Sequence, residues 1–353
     1  MEVVIIGGGV IGMLTARELQ SAGASVTILE RQALGQESSW AGGGILSPIN
    51  PWQVSEPITR LCRWSQSVYP DLAEALNNSS GIDPEWQPSG MLFRRESDSE
   101  ALNRWAQTQG VEIENLEAAE IARHEPGLTV EAGETATLLP RVAHIRNPRL
   151  LAALSRDIRN RGIRILTDQA VVSLDIRGTR VHSADTASGK YQADHYVVTA
   201  GAWSGQLARL TGAAVDVEPV RGQMLVFRAV PDLLRHMVLE QGRYLIPRRD
   251  GHILAGSTVE YAGFDKDTTE AARAELEEFA YRLLPTLRDY PIERHWAGLR
   301  PGSQEGIPYI GAHPEVSNLY FNCGHFRNGL IMGPASARLL GYLLLERSPI
   351  LPP

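Results

Sequence analysis

The start of the chain combines a short apolar run with closely spaced glycines, and this combination restricts the possible fold more than any other feature. Residues 2–6 are apolar enough to form a buried strand, and Gly7, Gly9 and Gly12 follow as Gly-x-Gly-x-x-Gly. Glycines so spaced permit a tight turn, the close approach of a phosphate to the backbone, and tight packing of a helix on the strand. The pattern predicts a nucleotide-binding strand–turn–helix unit.

The next residues extend this unit. A helix is predicted at 11–22, where Gly23 ends it, and a second buried strand at 26–30. Strand, helix and strand in this order imply a parallel sheet with a right-handed crossover. Glu30 ends the second strand, where a carboxylate binds the ribose hydroxyls of a dinucleotide and would repel a 2′-phosphate. A structural glycine turn followed by an incidental acid is the alternative.

The middle of the chain carries further elements that we assign to the same sheet. A helix is predicted to begin at Pro148, with Asn147 as its cap, and to end at Gly162. Strands are predicted at 163–166, 170–174 and 196–201.

Two other stretches have a different character. Residues 86–141 lack a clean periodicity, whereas residues 218–260 alternate as antiparallel strands with a hairpin turn at 250–251. A helix at 270–284 follows, capped by Thr268 or Thr269.

The length of the chain, 353 residues, exceeds the size at which a single core stops growing, so two domains are expected. We place residues 1–85, 142–217 and 295–353 in a nucleotide-binding α/β domain. Residues 86–141 and 218–294 then form a smaller α+β domain built on an antiparallel sheet.

Composition argues against several classes of protein. The formal net charge is −7, and the sequence has no basic stripe of the kind that nucleic acid or an anionic membrane requires. Cys62 and Cys323 are far apart and the nine histidines form no ligand-spaced cluster, so neither a disulfide nor a metal is expected. No secretory signal and no apolar run of about 18 residues is found, and we expect a cytoplasmic protein without a membrane span.

Two further glycine-containing loops bear on which dinucleotide binds. Residues 38–44 are small enough to let a bulky ring lie against the backbone, although an ordinary surface loop is the alternative. A strand predicted at 319–322 runs into the loop 323–329, and a helix is predicted at 334–345. Backbone N–H groups of such a loop and the following helix N-terminus would stabilise the anion of a reduced flavin. These loops favour FAD over NAD.

The glycine motif, the two loops and Ala-Gly-Leu-Arg-Pro at 297–301 together resemble the glycine oxidase and D-amino-acid oxidase family, and the resemblance covers nearly the whole chain. It implies a Rossmann-like FAD-binding domain, a second α+β substrate domain, and oxidation of glycine, sarcosine or small D-amino acids. In this family a hydride passes from Cα to flavin N5, the imino acid hydrolyses, and oxygen gives hydrogen peroxide. The resemblance further implies a homotetramer and a role in forming the thiazole ring of thiamine.

The same resemblance implies the residues that contact the cofactor, which come from the glycine motif, the strand after it, both loops and two central segments. FAD is expected to be noncovalent, because relatives that tether flavin use a cysteine in the stretch equivalent to 300–306, which has none here. The implied residues are Gly7, Gly9, Val10, Ile11, Gly12, Glu30, Arg31, Ser38, Ser39, Ala41, Gly42, Gly43, Gly44, Val172, Ala200, Gly201, Trp203, His325, Arg327, Asn328, Gly329 and Leu330.

Three side chains are expected to act on the substrate. Arg300 is the preferred carboxylate ligand, because a planar guanidinium pairs with both oxygens; a surface arginine or an internal salt bridge is the alternative. Tyr244 could donate to the same carboxylate or simply pack in its strand. Arg327 is placed on the amine side by the resemblance, with a loop-ordering salt bridge left open. His325 is interpreted as structural, because hydride transfer from an unprotonated amine requires no base.

Three rival functions stay open. A dehydrogenase for small D-amino acids would pass electrons to a quinone and form no peroxide. A sarcosine-type oxidase would prefer N-alkylglycines, and a noncatalytic flavin-sensing protein would bind flavin that no small amine reduces. Residues 45–52 are expected to flank the site and to restrict substrate size.

Overall fold

The computed structural model describes residues 1–95 and 98–348. Its strands form a six-stranded, an eight-stranded and a three-stranded sheet. The strands are β1 (Glu2–Ile6), β2 (Ser25–Leu29), β3 (Met91–Arg94), β4 (Glu114–Glu117), β5 (Thr135–Leu139), β6 (Arg164–Leu166), β7 (Val171–Arg177), β8 (Arg180–Thr186), β9 (Gly189–Tyr191), β10 (His195–Val198), β11 (Val217–Arg228), β12 (Met237–Glu240), β13 (Arg243–Pro247), β14 (His252–Gly256), β15 (Ile292–Ser303), β16 (Tyr309–Ala312) and β17 (Leu319–Cys323).

The α-helices lie between these strands. Within the described residues, none of them combines the length and the apolar character needed to cross a membrane. The helices are α1 (Val10–Ser21), α2 (Ser38–Ala41), α3 (Glu56–Ser80), α4 (Ser99–Gln109), α5 (Ala118–His124), α6 (Asn147–Asn160), α7 (Ser204–Arg209), α8 (Glu270–Leu283) and α9 (Gly329–Leu344).

The six-stranded sheet has the order β16-β17-β10-β1-β2-β6 and is parallel except for its edge strand β16. Parallel strands are usually buried on both faces, and β1 shows this directly. Val3 and Ile5 join a core that includes α1, α6 and α9, whereas Val4 and Ile6 join the core beneath the three-stranded sheet. This arrangement confirms the predicted Rossmann-like domain.

The eight-stranded sheet has the order β15-β11-β14-β13-β12-β3-β5-β4, and only β12 and β3 pair in parallel. One face packs against α8 through Leu276 and Phe279. Met224 and Tyr244 belong to a separate core cluster of the same sheet. The second α+β domain is thereby confirmed, and the hairpin turn predicted at 250–251 joins β13 to β14.

Three predictions are wrong: the sheet to which residues 170–174 belong, the role of Asn147 and the start of the C-terminal helix. The strand predicted at 170–174 is β7, which pairs with β8 in the three-stranded sheet and not with the first sheet. None of its residues is fully buried, unlike those of a central parallel strand. Asn147 is not the cap of α6 but its first residue, and its amide instead donates to the carbonyl of Ser39 at 2.7 Å.

The C-terminal helix begins at Gly329 and not near Pro334, which lies inside it. A proline lacks the N–H that the carbonyl four residues earlier would accept, so a proline inside a helix normally leaves that carbonyl without a partner. Here the hydroxyl of Tyr69 on α3 donates to the Leu330 carbonyl at 2.5 Å. A tertiary hydrogen bond therefore stabilises a helix that the local sequence disfavours.

The division of the chain between the two domains needs one adjustment. The boundary at 294/295 falls inside β15, which pairs with β11 from Phe227↔Ile292 to Val217↔Ser303. A strand paired along its length belongs to one sheet, and we propose that the α+β domain extends to residue 303. The other boundaries stay as proposed above.

Candidate active site

A cavity of about 600 Å³ lies where the two large sheets face each other. One wall is formed at the carboxyl ends of β1, β2, β10 and β17, through Ile6, Leu29, Thr199 and Cys323. Ligands of open α/β sheets bind outside these strand ends. The opposite wall comes from β11, β13 and β15 of the eight-stranded sheet.

Nearly all residues expected at the site line this cavity, although their roles as ligands stay predictions. Gly12 and Asn328 do not line it: Gly12 packs against the turn before α1, and Asn328 precedes α9. The lining includes Gly7, Gly9, Val10, Ile11, Glu30, Arg31, Ser38, Ser39, Ala41, Gly42, Gly43, Gly44, Val172, Ala200, Gly201, Trp203, Tyr244, Arg300, His325, Arg327, Gly329 and Leu330.

The glycine turn after β1 leaves no room for side chains. Gly7 has φ +114°, and a Cβ there would lie 2.6 Å from the carbonyl oxygen of Thr199. A Cβ on Gly12 would overlap the Gly7 carbonyl. The N–H of Val10, at the first position of α1, donates to the hydroxyl of Ser39 at 3.0 Å. The turn and the helix N-terminus therefore form a backbone cradle suited to phosphate.

Glu30 lies beside this cradle with a buried carboxylate. It accepts the N–H of Gly8 at 2.6 Å and that of Gln32 at 3.0 Å. Burial raises the pKa of Glu30 above its ordinary value, and the two backbone hydrogen bonds offset only part of this rise. A carboxylate in this position is ready to accept hydroxyl donors from a ribose.

A cluster of aromatic and charged side chains closes the cavity near Arg31. The guanidinium of Arg31 lies 3.5 Å from the centre of the Trp203 ring. The Phe264 ring packs on the same ring, with 5.3 Å between the two ring centres. Glu37 pairs with Arg31 at 2.5 Å and with Lys266 at 3.1 Å. Glu37 therefore joins residues of both domains at this end.

The segment 38–44, predicted as a loop, consists of the short helix α2 and a loop at 42–44, and three side chains from other parts of the chain hold it in place. A Cβ on Gly44, where φ is +83°, would overlap the carbonyl of Ile145, so the loop passes unusually close to the chain before α6. The amide of Asn147 donates to Ser39 O at 2.7 Å, the indole of Trp296 to Ala41 O at 3.0 Å, and the guanidinium of Arg248 to Gly43 O at 2.7 Å.

Arg248 is the charged member of these three supports, and its side chain is buried. Burial lowers its pKa to about 10, which leaves it protonated at neutral pH. Its Nη1 lies 2.8 Å from Nδ1 of His144. Burial and the neighbouring guanidinium lower the pKa of His144 well below its usual value, so His144 is neutral and accepts this hydrogen bond.

Arg300 projects from β15 across β11 into the cavity. Its guanidinium fits against the strand because Gly222 has no side chain; a Cβ there would overlap the guanidinium. Nη1 donates to the carbonyl of Thr258 at 3.0 Å, and Nη2 donates to the hydroxyl of Ser257 at 2.6 Å. A longer contact of 3.4 Å joins Nη1 to the carbonyl of Arg221.

All of these acceptors are neutral. Within the described part of the chain, Arg300 forms no ion pair with an aspartate or glutamate. Burial lowers the pKa of Arg300, the adjacent Tyr244 raises it, and the nearby cation of Arg327 lowers it. The Glu260 carboxylate also raises the pKa of Arg300 but does not pair with it directly, and a desolvated cation without a directly paired carboxylate favours the binding of an anion.

Tyr244 and Arg327 both lie close to this cation. Tyr244 is buried; its hydroxyl donates to the sulfur of Met224 at 3.8 Å and lies beside the Arg300 guanidinium. Arg327 is partly buried and donates to the carbonyl of Gly242 at 3.2 Å. The loop-ordering salt bridge considered for Arg327 is not found among the described residues.

His325 is fully enclosed in the C-terminal loop. Neither ring nitrogen has a hydrogen-bond partner among the described residues, and burial lowers its pKa to about 3. So weak a base accepts few protons near neutral pH. Cys323, two residues earlier, is also buried, and its pKa is raised to about 12. Among the described residues no group of three histidines, cysteines or acids could hold a metal ion.

Sequence reasoning missed several residues that shape this site. Arg248 lies four residues after Tyr244 in the sequence Tyr-Leu-Ile-Pro-Arg, a stretch that resembles the same family, so it could have been found from that resemblance. The sequence indicated Asn147 only as the cap of a helix. Ser257 and Thr258 carry no sequence signal, because their importance comes from the position of Arg300.

A phosphate cradle with an acid placed for a ribose, joined in one cavity to an arginine that has no ion pair among the described residues, is typical of a dinucleotide-dependent oxidoreductase. The family described as DAO, FAD dependent oxidoreductase, matches residues 2–343, and the chain belongs to this family. It is an FAD-dependent amine oxidase, as the sequence predicted.

Individual relatives agree with this assignment. The chain is 45% identical to a glycine oxidase of Pseudomonas aeruginosa over 100% of this chain and 97% of that protein. It is 32% identical to the bifunctional protein ThiO/ThiG of Trichormus variabilis, with 98% of this chain and 53% of that protein covered. The crystal structure of glycine oxidase from Bacillus cereus superimposes with a TM-score of 0.92 at 29% identity, covering 98% and 95% of the two chains.

The residues present fit FAD. The space kept free by Gly7 and Gly12 suits a pyrophosphate, and Glu30 is placed for the ribose. At the other end, a Cβ on Gly43 would lie 2.7 Å from Ile246, so this part of the loop also excludes side chains. The unpartnered nitrogens of His325 border the same cavity.

Proposed function

We propose that this protein oxidises glycine, and less specifically other small amines that carry a carboxylate, with oxygen as electron acceptor. Glycine, oxygen and water give glyoxylate, ammonia and hydrogen peroxide. The observation that carries the proposal is the unpaired cation of Arg300 in the cavity that also contains the dinucleotide cradle. The 45% identity to a glycine oxidase over the full chain supports the choice of glycine.

Arg300 binds the substrate carboxylate in this proposal. Its guanidinium offers a planar pair of donors, which fixes the orientation of a carboxylate as well as its affinity. The Tyr244 hydroxyl lies beside this guanidinium, and its own hydrogen is donated only weakly, to the Met224 sulfur at 3.8 Å, so it can turn to donate to the same carboxylate. These two contacts would hold Cα at a constant position, and such orientation is a large part of catalysis.

The charges around the site determine the protonation state of the substrate amine. Arg300 and Arg327 disfavour a third cation nearby, so the substrate amine binds unprotonated. When bound, FAD supplies the two-electron acceptor at N5 for the hydride from Cα, and oxygen then gives hydrogen peroxide. No base is required, in agreement with the low pKa of about 3 at His325.

We propose that FAD is held without a covalent bond. The chain has two cysteines, and both are free and buried in the structure. The pKa of about 12 at Cys323 leaves almost no nucleophilic thiolate at the cavity. Acid precipitation should therefore release all the yellow colour into the supernatant, and a coloured pellet would contradict the proposal.

Three broader expectations stay proposals. A homotetramer and a cytoplasmic location are suggested by resemblance and by sequence, and light scattering and cell fractionation test them. A role in forming the thiazole of thiamine is supported by the similarity to a bifunctional ThiO/ThiG protein. Thiamine auxotrophy after deletion, rescued by the wild-type chain, would support this role.

The proposed reaction is tested on the purified flavoprotein. Glycine, sarcosine and D-alanine should each bleach the flavin without oxygen and form peroxide in air, with glycine among the good substrates. Bleaching without peroxide, restored by an added quinone, would indicate a dehydrogenase. If sarcosine alone reacts, the protein is an N-alkylglycine oxidase, and if no amine bleaches the flavin, the enzyme assignment fails.

A further inference from the structure

Residues 257–269, called the strap, form the segment whose hydrogen bonds hold the Arg300 guanidinium. The strap leaves β14 and reaches the start of α8. It supplies the two nearest acceptors of the guanidinium, the Thr258 carbonyl and the Ser257 hydroxyl. An isolated antiparallel bridge between Glu260 and Arg221 joins the strap to β11. The position of Arg300 therefore depends on how the strap is fixed.

Glu260 is the centre of the contacts that fix it. The carboxylate accepts from Arg221 Nε at 2.9 Å and Nη2 at 2.7 Å, and from the side-chain amide of Gln223 at 2.9 Å. The Thr258 hydroxyl also donates to it. Arg221 and Gln223 are both buried, and they belong to β11, the strand against which Arg300 lies.

Thr258 connects this centre directly to Arg300. Its hydroxyl donates to Glu260 and accepts the backbone N–H of Gln223 at 2.9 Å. Its carbonyl accepts from Arg300 Nη1. Arg221 forms a second connection, because its side chain binds Glu260 while its carbonyl contacts the same Nη1 at 3.4 Å.

The protonation state of Glu260 supports this role. Burial alone would raise its pKa, but hydrogen bonds from Thr258, Arg221 and Gln223 lower it below the ordinary value. The carboxylate is therefore ionised at neutral pH and keeps all of these donors. Asp265, at the far end of the strap, adds a second ion pair to Arg221 at 2.6 Å.

We propose that Glu260 is a positioning residue for the substrate carboxylate, acting through Thr258 and Arg221 on the plane of the Arg300 guanidinium. This inference rests on the proposed function, because it takes Arg300 as the carboxylate ligand. Paired donors bind a carboxylate well only when their plane is fixed. Loss of the Glu260 contacts would let the strap and the guanidinium move, and substrate affinity would fall.

The direction in which substrate affinity changes on substitution of Glu260 distinguishes a positioning role from a direct effect of its charge. Removing a negative charge near an anion site would by itself strengthen anion binding. The positioning role predicts the opposite for Glu260→Gln. We expect the KM for glycine and the Kd for glycolate, a nonreacting analogue with the same carboxylate, to rise about tenfold, with a smaller change in kcat.

The experiment uses the FAD-loaded protein. Glycolate is titrated against the flavin absorption spectrum for wild type, Glu260→Gln and the control Glu293→Gln. Glu293 pairs with Arg228 at 2.9 Å on the same sheet, so the control removes an equal charge away from Arg300. FAD affinity and the unfolding temperature are measured for each variant, and the control should match wild type.

A wild-type or lower Kd for glycolate in Glu260→Gln would overturn the proposal. Should that variant fail to fold, Thr258→Val removes the hydroxyl while keeping the carbonyl and every charge. The Kd should then rise severalfold, and an unchanged Kd would equally overturn the proposal. If instead Arg300→Ala also binds glycolate like wild type, the proposed function itself is wrong.

Discussion

The guanidinium of Arg300 occupies the space that a Cβ on Gly222 would fill. The two residues belong to neighbouring strands, β15 and β11, and Gly222 pairs with Gly298 two positions from Arg300. The missing side chain lets the cation lie against the backbone, where Thr258 and Ser257 hold it. The position proposed for the carboxylate-binding guanidinium thus depends on the absence of a side chain at Gly222.

Gly222→Ala should therefore weaken substrate binding without loss of FAD. The new methyl group displaces the end of a flexible side chain, and the fold persists. We expect the KM for glycine to rise by about 10–100-fold, because a displacement of about 1 Å has effects of this size. Gly311→Ala is the matched control, since a Cβ there meets nothing within 4 Å. Equal KM values in the two variants would contradict the packing argument.

Tyr244→Phe tests the second carboxylate contact. The ring fills its site unchanged, and only the hydroxyl is lost. A hydrogen bond to a charged group contributes about 1.5–3 kcal/mol, so the KM should rise by roughly 10–100-fold. Steady-state kinetics with glycine measures this, and an unchanged KM would indicate that Tyr244 only packs in β13.

Trp203→Ala tests whether the aromatic and charged cluster near Arg31 contributes to FAD binding. The substitution removes the surface on which Arg31 and Phe264 pack. A cation–π contact of this kind contributes about 0.5–2 kcal/mol, so the Kd for FAD should rise about twofold to thirtyfold. Fluorescence titration of the apoprotein measures it. Lys266→Met, which removes an exposed partner of Glu37, should change the Kd less than Trp203→Ala does.

His325 should make the apoprotein sensitive to acid. Its folded pKa of about 3 lies below the ordinary value of 6.5, so between these values the unfolded chain binds a proton that the folded chain does not. Stability is therefore present above pH 6.5 and is lost as the pH falls towards 3, by up to about 1.4 kcal/mol per pH unit for one group. His144 contributes in the same direction.

His325→Asn should make the free energy of unfolding less dependent on pH, by up to about 1.4 kcal/mol per pH unit, which corresponds to one proton. Chemical unfolding at pH 4, 5, 6 and 7 measures this dependence. The substitution leaves a neutral side chain at every pH, so the effect does not depend on new charge. A slope identical to that of wild type would show that His325 protonates equally in both states.

Local pattern was sufficient for the first strand–helix–strand unit of the nucleotide-binding domain. The run from β1 through Gly7, Gly9 and Gly12 to Glu30 was predicted because each feature has a local physical reason. The hairpin of β13 and β14 and the Thr269 cap, which accepts from Ala272 N–H, were predicted on the same grounds. These elements need little information from distant parts of the chain.

Tertiary contacts decide the features that local pattern did not predict. The start of α9 depends on the Tyr69 hydroxyl, which lies far away in sequence. Helix α3 received no prediction, and its interior Pro70 obscures the helical pattern. The roles of Thr258, Ser257 and Glu260 exist only because β14, β11 and β15 meet at Arg300. Such roles are properties of the fold and not of any sequence segment.

In the proposed function, Arg300 binds the substrate carboxylate beside bound FAD. Anaerobic reduction of the flavin by increasing glycine, followed by absorbance, tests it in wild type and Arg300→Ala. Truncating one member of a buried charged pair costs about 2–5 kcal/mol, so half-saturation should require at least about 30-fold more glycine, with FAD still bound. Equal half-saturation in the two proteins, both carrying FAD, would contradict the claim.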